Sequence, residues 1–151
     1  MEKKVLESLQ RRCARAEYCS SDIYRKALKA MDGDAEAAAR ITASLVKDRF
    51  VDDLRYASAF AREKASLQGW GAVKIRFMLR GKGIDEATVG RALEEIDPAK
   101  ASAKLEKVVR EKNRTLEGDP QRKLKLIKFA LGRGYSYDEV EKALRTLEES
   151  S

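Results

Sequence analysis

Histidine is absent from this 151-residue sequence, and cysteine and proline occur only twice each. Without histidine there is no commonest general base, no serine–histidine nucleophile and no histidine-containing zinc site. Cys13 and Cys19 match neither a C-x-x-C pair nor a zinc ribbon, and on a helix they would point to different faces. They read as buried or idle thiols. Two prolines are far too few for a disordered linker. Apolar runs extend only a few residues, which excludes a transmembrane helix. Met1-Glu2-Lys3-Lys4-Val5 leads into polar residues rather than a secretory signal, so the expected location is cytoplasmic. No cofactor or metal site is legible, and the chain offers little from which to build an enzyme.

What the sequence does contain is charge and helical periodicity. Apolar residues make up 43%, and 32 Lys and Arg outweigh 25 Asp and Glu for a net charge of +7. A positive domain of this size has affinity for polyanions or for an acidic protein surface. Leu54, Ala57, Phe60 and Ala61 recur at three- and four-residue spacings, as do Ile75, Met78 and Leu79, then Val89, Ala92 and Leu93. No stretch alternates at period two, and Ala, Leu, Lys, Arg and Glu dominate. Breaks at Gly33, Gly69, Gly71, Gly81, Gly83, Gly118-Asp119-Pro120 and Gly132-Arg133-Gly134 cut the chain into short helices. The expected fold is all-α.

The sequence also repeats. A shift of 51 superposes Lys74 on Lys125, Gly83 on Gly134, Val89 on Val140, Ala92 on Ala143 and Leu93 on Leu144. Just upstream a shift of 48 aligns Ala57, Phe60 and Ala61 with Leu105, Val108 and Val109, so the loop around Asn113 to Pro120 is longer in the later copy. Residues 49–97 and 98–151 therefore read as two copies of a three-helix unit. Residues 1–48 read as a more divergent first copy, as terminal repeats often are. Three tandem three-helix repeats in one continuous, elongated and curved body present long surfaces rather than deep pockets.

Charge is segregated within each unit. From Lys64 to Ile84 there are five bases (Lys64, Lys74, Arg76, Arg80 and Lys82) and no acid. From Pro120 to Tyr137 there are again five (Arg122, Lys123, Lys125, Lys128 and Arg133) and no acid. Arg25, Lys26 and Lys29 mark the same helix of the first unit, and acids gather in each third helix. Lys74, Arg76, Arg80 and Lys82 are thus the candidate central contact surface, extended by Arg122, Lys125, Lys128 and Arg133. No helix-turn-helix, zinc-finger or RNP-like signature accompanies them, so any nucleic-acid contact should be with the backbone and salt-sensitive. Tyr56, Trp70, Tyr135 and Tyr137 read as core edges in preference to base-stacking platforms.

Phe50-Val-Asp-Asp-Leu-Arg-Tyr-Ala57 holds the one pair of neighbouring carboxylates that invites a catalytic reading. A helix start explains more of it. Asp52 stands where an N-cap accepts a backbone N–H, and Asp53 falls in the first turn, where it complements the helix dipole. Val51 and Tyr56 stand where a hydrophobic staple closes. Arg55 is expected to pair with an acid on a neighbouring helix.

The same stretch resembles the signature of the RecX family, regulators of the RecA recombinase, in Phe50, Asp52, Asp53, Arg55, Tyr56 and Ala57. Trp70-Gly71, then Lys74-Ile75, Leu79 and Lys82-Gly83-Ile84, resemble the rest of that family's central repeat. Gly132-Arg-Gly-Tyr-Ser-Tyr-Asp138 and Arg15-Ala-Glu-Tyr-Cys19 are similar to its third- and first-repeat motifs, with Cys19 where a serine is more usual. The resemblance implies a crescent of three-helix repeats, monomeric and non-enzymatic, that lodges in the groove of the RecA–single-stranded DNA filament. There it would inhibit ATP hydrolysis, strand exchange and co-protease activity in DNA repair and SOS regulation, with any contact to the DNA strand secondary. The different reading that charge alone permits is a free-standing helical nucleic-acid-binding module with no filament partner.

Overall fold

The computed structural model describes residues 1–150. Those residues form nine α-helices and no strand: α1 Glu2–Arg15, α2 Ser20–Ala30, α3 Ala35–Lys47, α4 Asp53–Ser66, α5 Ala72–Gly81, α6 Glu86–Glu94, α7 Pro98–Arg114, α8 Arg122–Gly132 and α9 Tyr137–Glu149. They pack in threes in chain order, α1 to α3, α4 to α6 and α7 to α9, and α4 also packs on α7. This is an all-α helical-repeat fold.

Three apolar clusters lie along the array. Leu9, Ile23, Ala27, Ala38, Ile41 and Leu45 fill the first, Ala57, Ala61, Ile75, Leu79, Val89 and Ala92 the second, and Leu105, Val109, Leu126, Ala130, Val140 and Leu144 the third. They interlock at the first seam. Cys19, fully buried at the start of α2, belongs to the second cluster, while Phe50 and Val51 pack with the first. The staple expected between Val51 and Tyr56 is not what anchors α4, because Val51 serves the first core and Tyr56 packs against the second. Each side chain is drawn to the nearest apolar surface, and those surfaces lie on opposite sides of the seam.

Five of the nine helices carry a side-chain N-cap. The first and third helices of the later units, and α3, carry their own caps. Asp34, Asp52, Asp85 and Asp97 accept backbone N–H groups of α3, α4, α6 and α7, and Ser136 with Glu139 forms a reciprocal capping box on α9. Asp52 Oδ1 accepts from the Arg55 N–H at 3.0 Å, as the sequence predicts. Asp52→Ala is therefore expected to cost about 1 kcal/mol of stability with no direct effect on binding, measurable by urea unfolding.

The middle helices α2, α5 and α8 have no side-chain cap of their own, with Cys19, Gly71 and Gln121 at the N-cap positions. For α2 and α5 the next unit supplies the acceptors. Asp53 takes the Ser20 N–H and the Ser20 hydroxyl, both at 2.7 Å, and Lys82 C=O accepts from the Ser21 hydroxyl at 2.6 Å. At the second seam Arg133 C=O accepts from the Gly71 N–H at 2.8 Å and Gly134 C=O from the Val73 N–H at 3.0 Å. Folding of one repeat thus completes the helix start of the one before it, which couples their stabilities.

Glycine is required at that second seam. Gly134 has φ +96°, and a Cβ there would lie 2.2 Å from Lys74 Cβ. A Cβ on Gly71 would lie 2.4 Å from the Gly134 carbonyl carbon and oxygen. Two backbones meet directly at this point, and no side chain fits between them.

Candidate functional site

The middle helix of each unit presents one face to its core and the opposite face to solvent. On α5, Ile75 and Leu79 are buried, whereas Val73, Arg76, Phe77 and Arg80 are exposed. On α8, Leu126 and Ala130 are buried, whereas Leu124, Lys128 and Leu131 are exposed. Neither helix contains an acid, so each face is cationic by composition.

The structure supplies counter-charges that the sequence did not reveal, because they come from other elements. Arg76 pairs with Glu86, the first residue of α6, and Arg80 Nε stands 3.8 Å from the same carboxylate. Arg80 also donates to the Ile84 carbonyl at 2.8 Å. Lys82 Nζ reaches across the first seam to Asp22 at 3.1 Å, and Lys125 Nζ reaches Asp119 at 2.6 Å. Arg122 donates to Asn113 Oδ1 at 2.6 Å. Among the eight predicted contact residues, Lys74 and Lys128 alone have no side-chain hydrogen bond or ion pair with the described residues, and Lys74 lies over an aromatic ring instead. The pairs of Arg76, Arg80 and Lys125 lie at the surface, are worth at most about 1 kcal/mol each, and yield readily to a partner.

Lys82 and Asp22 hold the seam electrostatically. Burial pushes the Asp22 carboxyl up, but hydrogen bonds from Lys82, Cys19 and Arg25 outweigh it and leave it below the usual carboxylate range. The bond to Asp22 in turn raises Lys82. The two shifts run in opposite directions, the acid down and the base up, as an ion pair requires. This makes Lys82 a seam residue as much as a contact residue.

Lys74 and Arg133, also candidates for binding, are engaged at the second seam. Lys74 Nζ lies 4.2 Å above the Trp70 ring, with Lys64 5.0 Å from the same ring. Arg133 donates to the Gln68 carbonyl at 2.6 Å and lies 5.1 Å above the Phe129 ring. Trp70 meets Phe60 edge-on and Phe60 stacks on Tyr56, each pair at 6.1 Å, so Tyr56 and Trp70 are core-edge aromatics. Tyr135 is buried in the third core, while Tyr137 is exposed.

Burial pushes the Tyr135 phenol up to about 12, with Glu139 adding to the shift and Arg133 opposing it. Because the folded value exceeds the unfolded value near 10, the neutral phenol stabilises the fold fully below pH 10, and that contribution is lost as pH rises towards 12. Stability is expected to fall in that window by on the order of 2 kcal/mol more than in Tyr135→Phe. The spectrophotometric titration of wild type minus Tyr135→Phe should place one phenol near 12; a difference midpoint near 10 contradicts the assignment.

Around the signature stretch, the structure pairs Arg55 with Glu17 through two contacts, 2.9 and 2.7 Å, and Arg55 donates further to the Arg49 and Phe50 carbonyls at 3.2 Å. Glu17 lies in the loop after α1 rather than on a helix. Asp53 stands in the first turn of α4 as expected, and both of its oxygens also clasp Ser20. Asp52 and Asp53 thus point to different donors and do not form a catalytic dyad. Phe77 escaped the sequence reading altogether. At 75% exposure it is an exposed large apolar side chain in the middle of the cationic α5 face. Its place out of step with Ile75 and Leu79 was the available signal.

This arrangement has counterparts among known proteins. Residues 52–93, which span α4 to α6, match the family model described as "RecX, second three-helix domain". Relatives named "Regulatory protein RecX" include those of Mycolicibacterium smegmatis, 30% identical over 67% of this chain and 57% of that protein, and of Salmonella paratyphi A, 28% identical over 76% and 69%. A solved structure titled "Crystal structure of regulatory protein RecX" superposes with a TM-score of 0.86 at 25% identity, over 95% of this chain and 71% of that one. The chain belongs to the RecX family. RecX from Lactobacillus salivarius, at 19% identity, shares the fold over 97% of this chain and 96% of its own, again with a TM-score of 0.86. The match spans just over half the length of the first of these curated RecX relatives. The RecX family model begins at Asp52, the residue that caps α4 and follows the two that pack with the first core.

Proposed function

We propose that this chain is a non-enzymatic, monomeric cytoplasmic modulator that binds the RecA–single-stranded DNA filament and inhibits its ATPase, strand-exchange and co-protease activities. The observation that carries the reading is the recurrence of an acid-free cationic face on α5 and α8, in consecutive repeats of one helical array. A filament is itself a repeating object, and a surface that repeats along a solenoid is suited to bind it at several points. Membership of a family whose relatives are named regulatory proteins supports a partner-directed role. No described helix is long and apolar enough to cross a membrane, which is compatible with a partner in the cytoplasm. Contact with the DNA strand itself is secondary, because no base-reading element accompanies the cations.

The test is a titration of RecA filament on a dT oligonucleotide against the bare oligonucleotide, each at two salt concentrations. Preference for the filament at both is the expected result. Equal or tighter binding to the bare strand, with a steep salt slope, would instead identify a free-standing nucleic-acid-binding module.

A further inference from the structure

We infer that the outward ridges of α5 and α8 dock an acidic polypeptide segment carrying large apolar side chains. Resting on the function proposed above, this assigns the ridge to the protein component of the filament and not to its DNA.

Three observations meet at this face. First, its ridge is apolar where a solvated helix would be polar. Phe77 is 75% exposed and Val73, one turn earlier, 57%; on α8, Leu124 is 49% and Leu131 40% exposed. Large apolar side chains left in water on the corresponding helix of consecutive repeats mark an interaction site. Second, both helices end on a glycine at corresponding positions, Gly81 and Gly132, each inside the helix. A Cβ at either would meet nothing within 4 Å, so the fold itself does not ask for glycine there. Glycine is among the poorest helix formers, and its remaining use is to let another backbone come close. Third, Arg76, Arg80 and Lys128 flank the ridge, and neither helix bears an acid.

Those features choose between occupants. Val73, Leu124 and Leu131 have no ring on which a base could stack, and a phosphate backbone has no use for aliphatic surface. A polypeptide uses all three features. Its apolar side chains cover the ridge, its backbone passes over Gly81 and Gly132, and its carboxylates meet the flanking cations, displacing Glu86 from Arg76.

The test uses the full chain, the RecA filament on a dT oligonucleotide, and the bare oligonucleotide. Two variants are compared with wild type: Phe77→Ser, and Gly81→Gln with Gly132→Gln. Each is expected to weaken filament binding about tenfold or more while leaving the bare-strand affinity within about twofold. The glycine double variant should melt no lower than wild type, since glutamine is the better helix former, so its loss of binding is not a loss of fold. Equal losses on filament and bare strand overturn the inference by making this a nucleic-acid face. Unchanged filament binding by both variants overturns it by making the ridge idle. Should wild type itself fail to bind the filament, the proposed function falls and the inference with it, a result distinct from the other two.

Discussion

Gly134→Ala is expected to cost roughly 3 kcal/mol or more and to detach the third repeat from the first two. The residue has φ +96°, where an L side chain is strained, and its new Cβ would lie 2.2 Å from Lys74 Cβ and 2.7 Å from the Lys74 nitrogen. Relief requires the turn after α8 to withdraw from the start of α5. That movement breaks the Gly71–Arg133 and Val73–Gly134 backbone hydrogen bonds and pulls Arg133 from the Gln68 carbonyl. Gly71→Ala attacks the same contact from the other side and should behave alike. Gly83→Ala is the graded control. Its φ of +80° is also strained, but its nearest neighbour is Ser21 Cβ at 3.9 Å, so only the backbone penalty of about 1 kcal/mol applies. Urea unfolding followed by Trp70 fluorescence and by far-ultraviolet circular dichroism reads the outcome. The two probes should coincide in wild type and separate in Gly134→Ala. Coincident curves with an unchanged midpoint would show that the seam does not couple the repeats.

Under the function proposed above, Arg76→Glu with Arg80→Glu is expected to weaken inhibition of the RecA ATPase by about a hundredfold or more while leaving the helical spectrum intact. Both guanidiniums stand on the outer face of α5, and both are balanced by a single carboxylate, Glu86. Reversal turns two cations and one acid into three acids on one exposed face. Like charges set against an acidic or phosphate-bearing partner cost several kcal/mol. The stability effect is expected to be small by comparison. The ion pairs are exposed, and the one further hydrogen bond lost, from the half-exposed Arg80 guanidinium to the Ile84 carbonyl, is worth about 1.5 kcal/mol. Full inhibition by this variant would remove the central repeat from the contact surface. Lys128→Glu, a single reversal on α8 without a displaced partner, should give a smaller loss in the same assay.

The helices and their grouping were legible because they are local. Ala35–Lys47 was readable as a helix from composition and period alone, and the structure has α3 over those residues. The cap at Asp52 was equally readable, since its acceptor and donor are three positions apart. The candidate surface was legible only in outline. Recurrence singled out Arg76, Arg80 and Lys128, all exposed in the structure, but the pairing of Arg76 with Glu86 spans two helices and that of Lys82 with Asp22 spans two repeats. Linear charge counting sees neither.

The sequence by itself determined the all-α character, the helical faces and the repeat register, because helical period, capping and glycine punctuation act over only a few residues. Only the tertiary structure decided which cations are free. It added to Asp53, in the first turn of α4, a clasp on Ser20, gave Lys74 and Arg133 contacts within the fold, and showed Phe77 to be exposed. Each of those outcomes depends on what folding brings near a side chain or leaves away from it, and a through-space distance of that kind is not written in the spacing of residues along the chain.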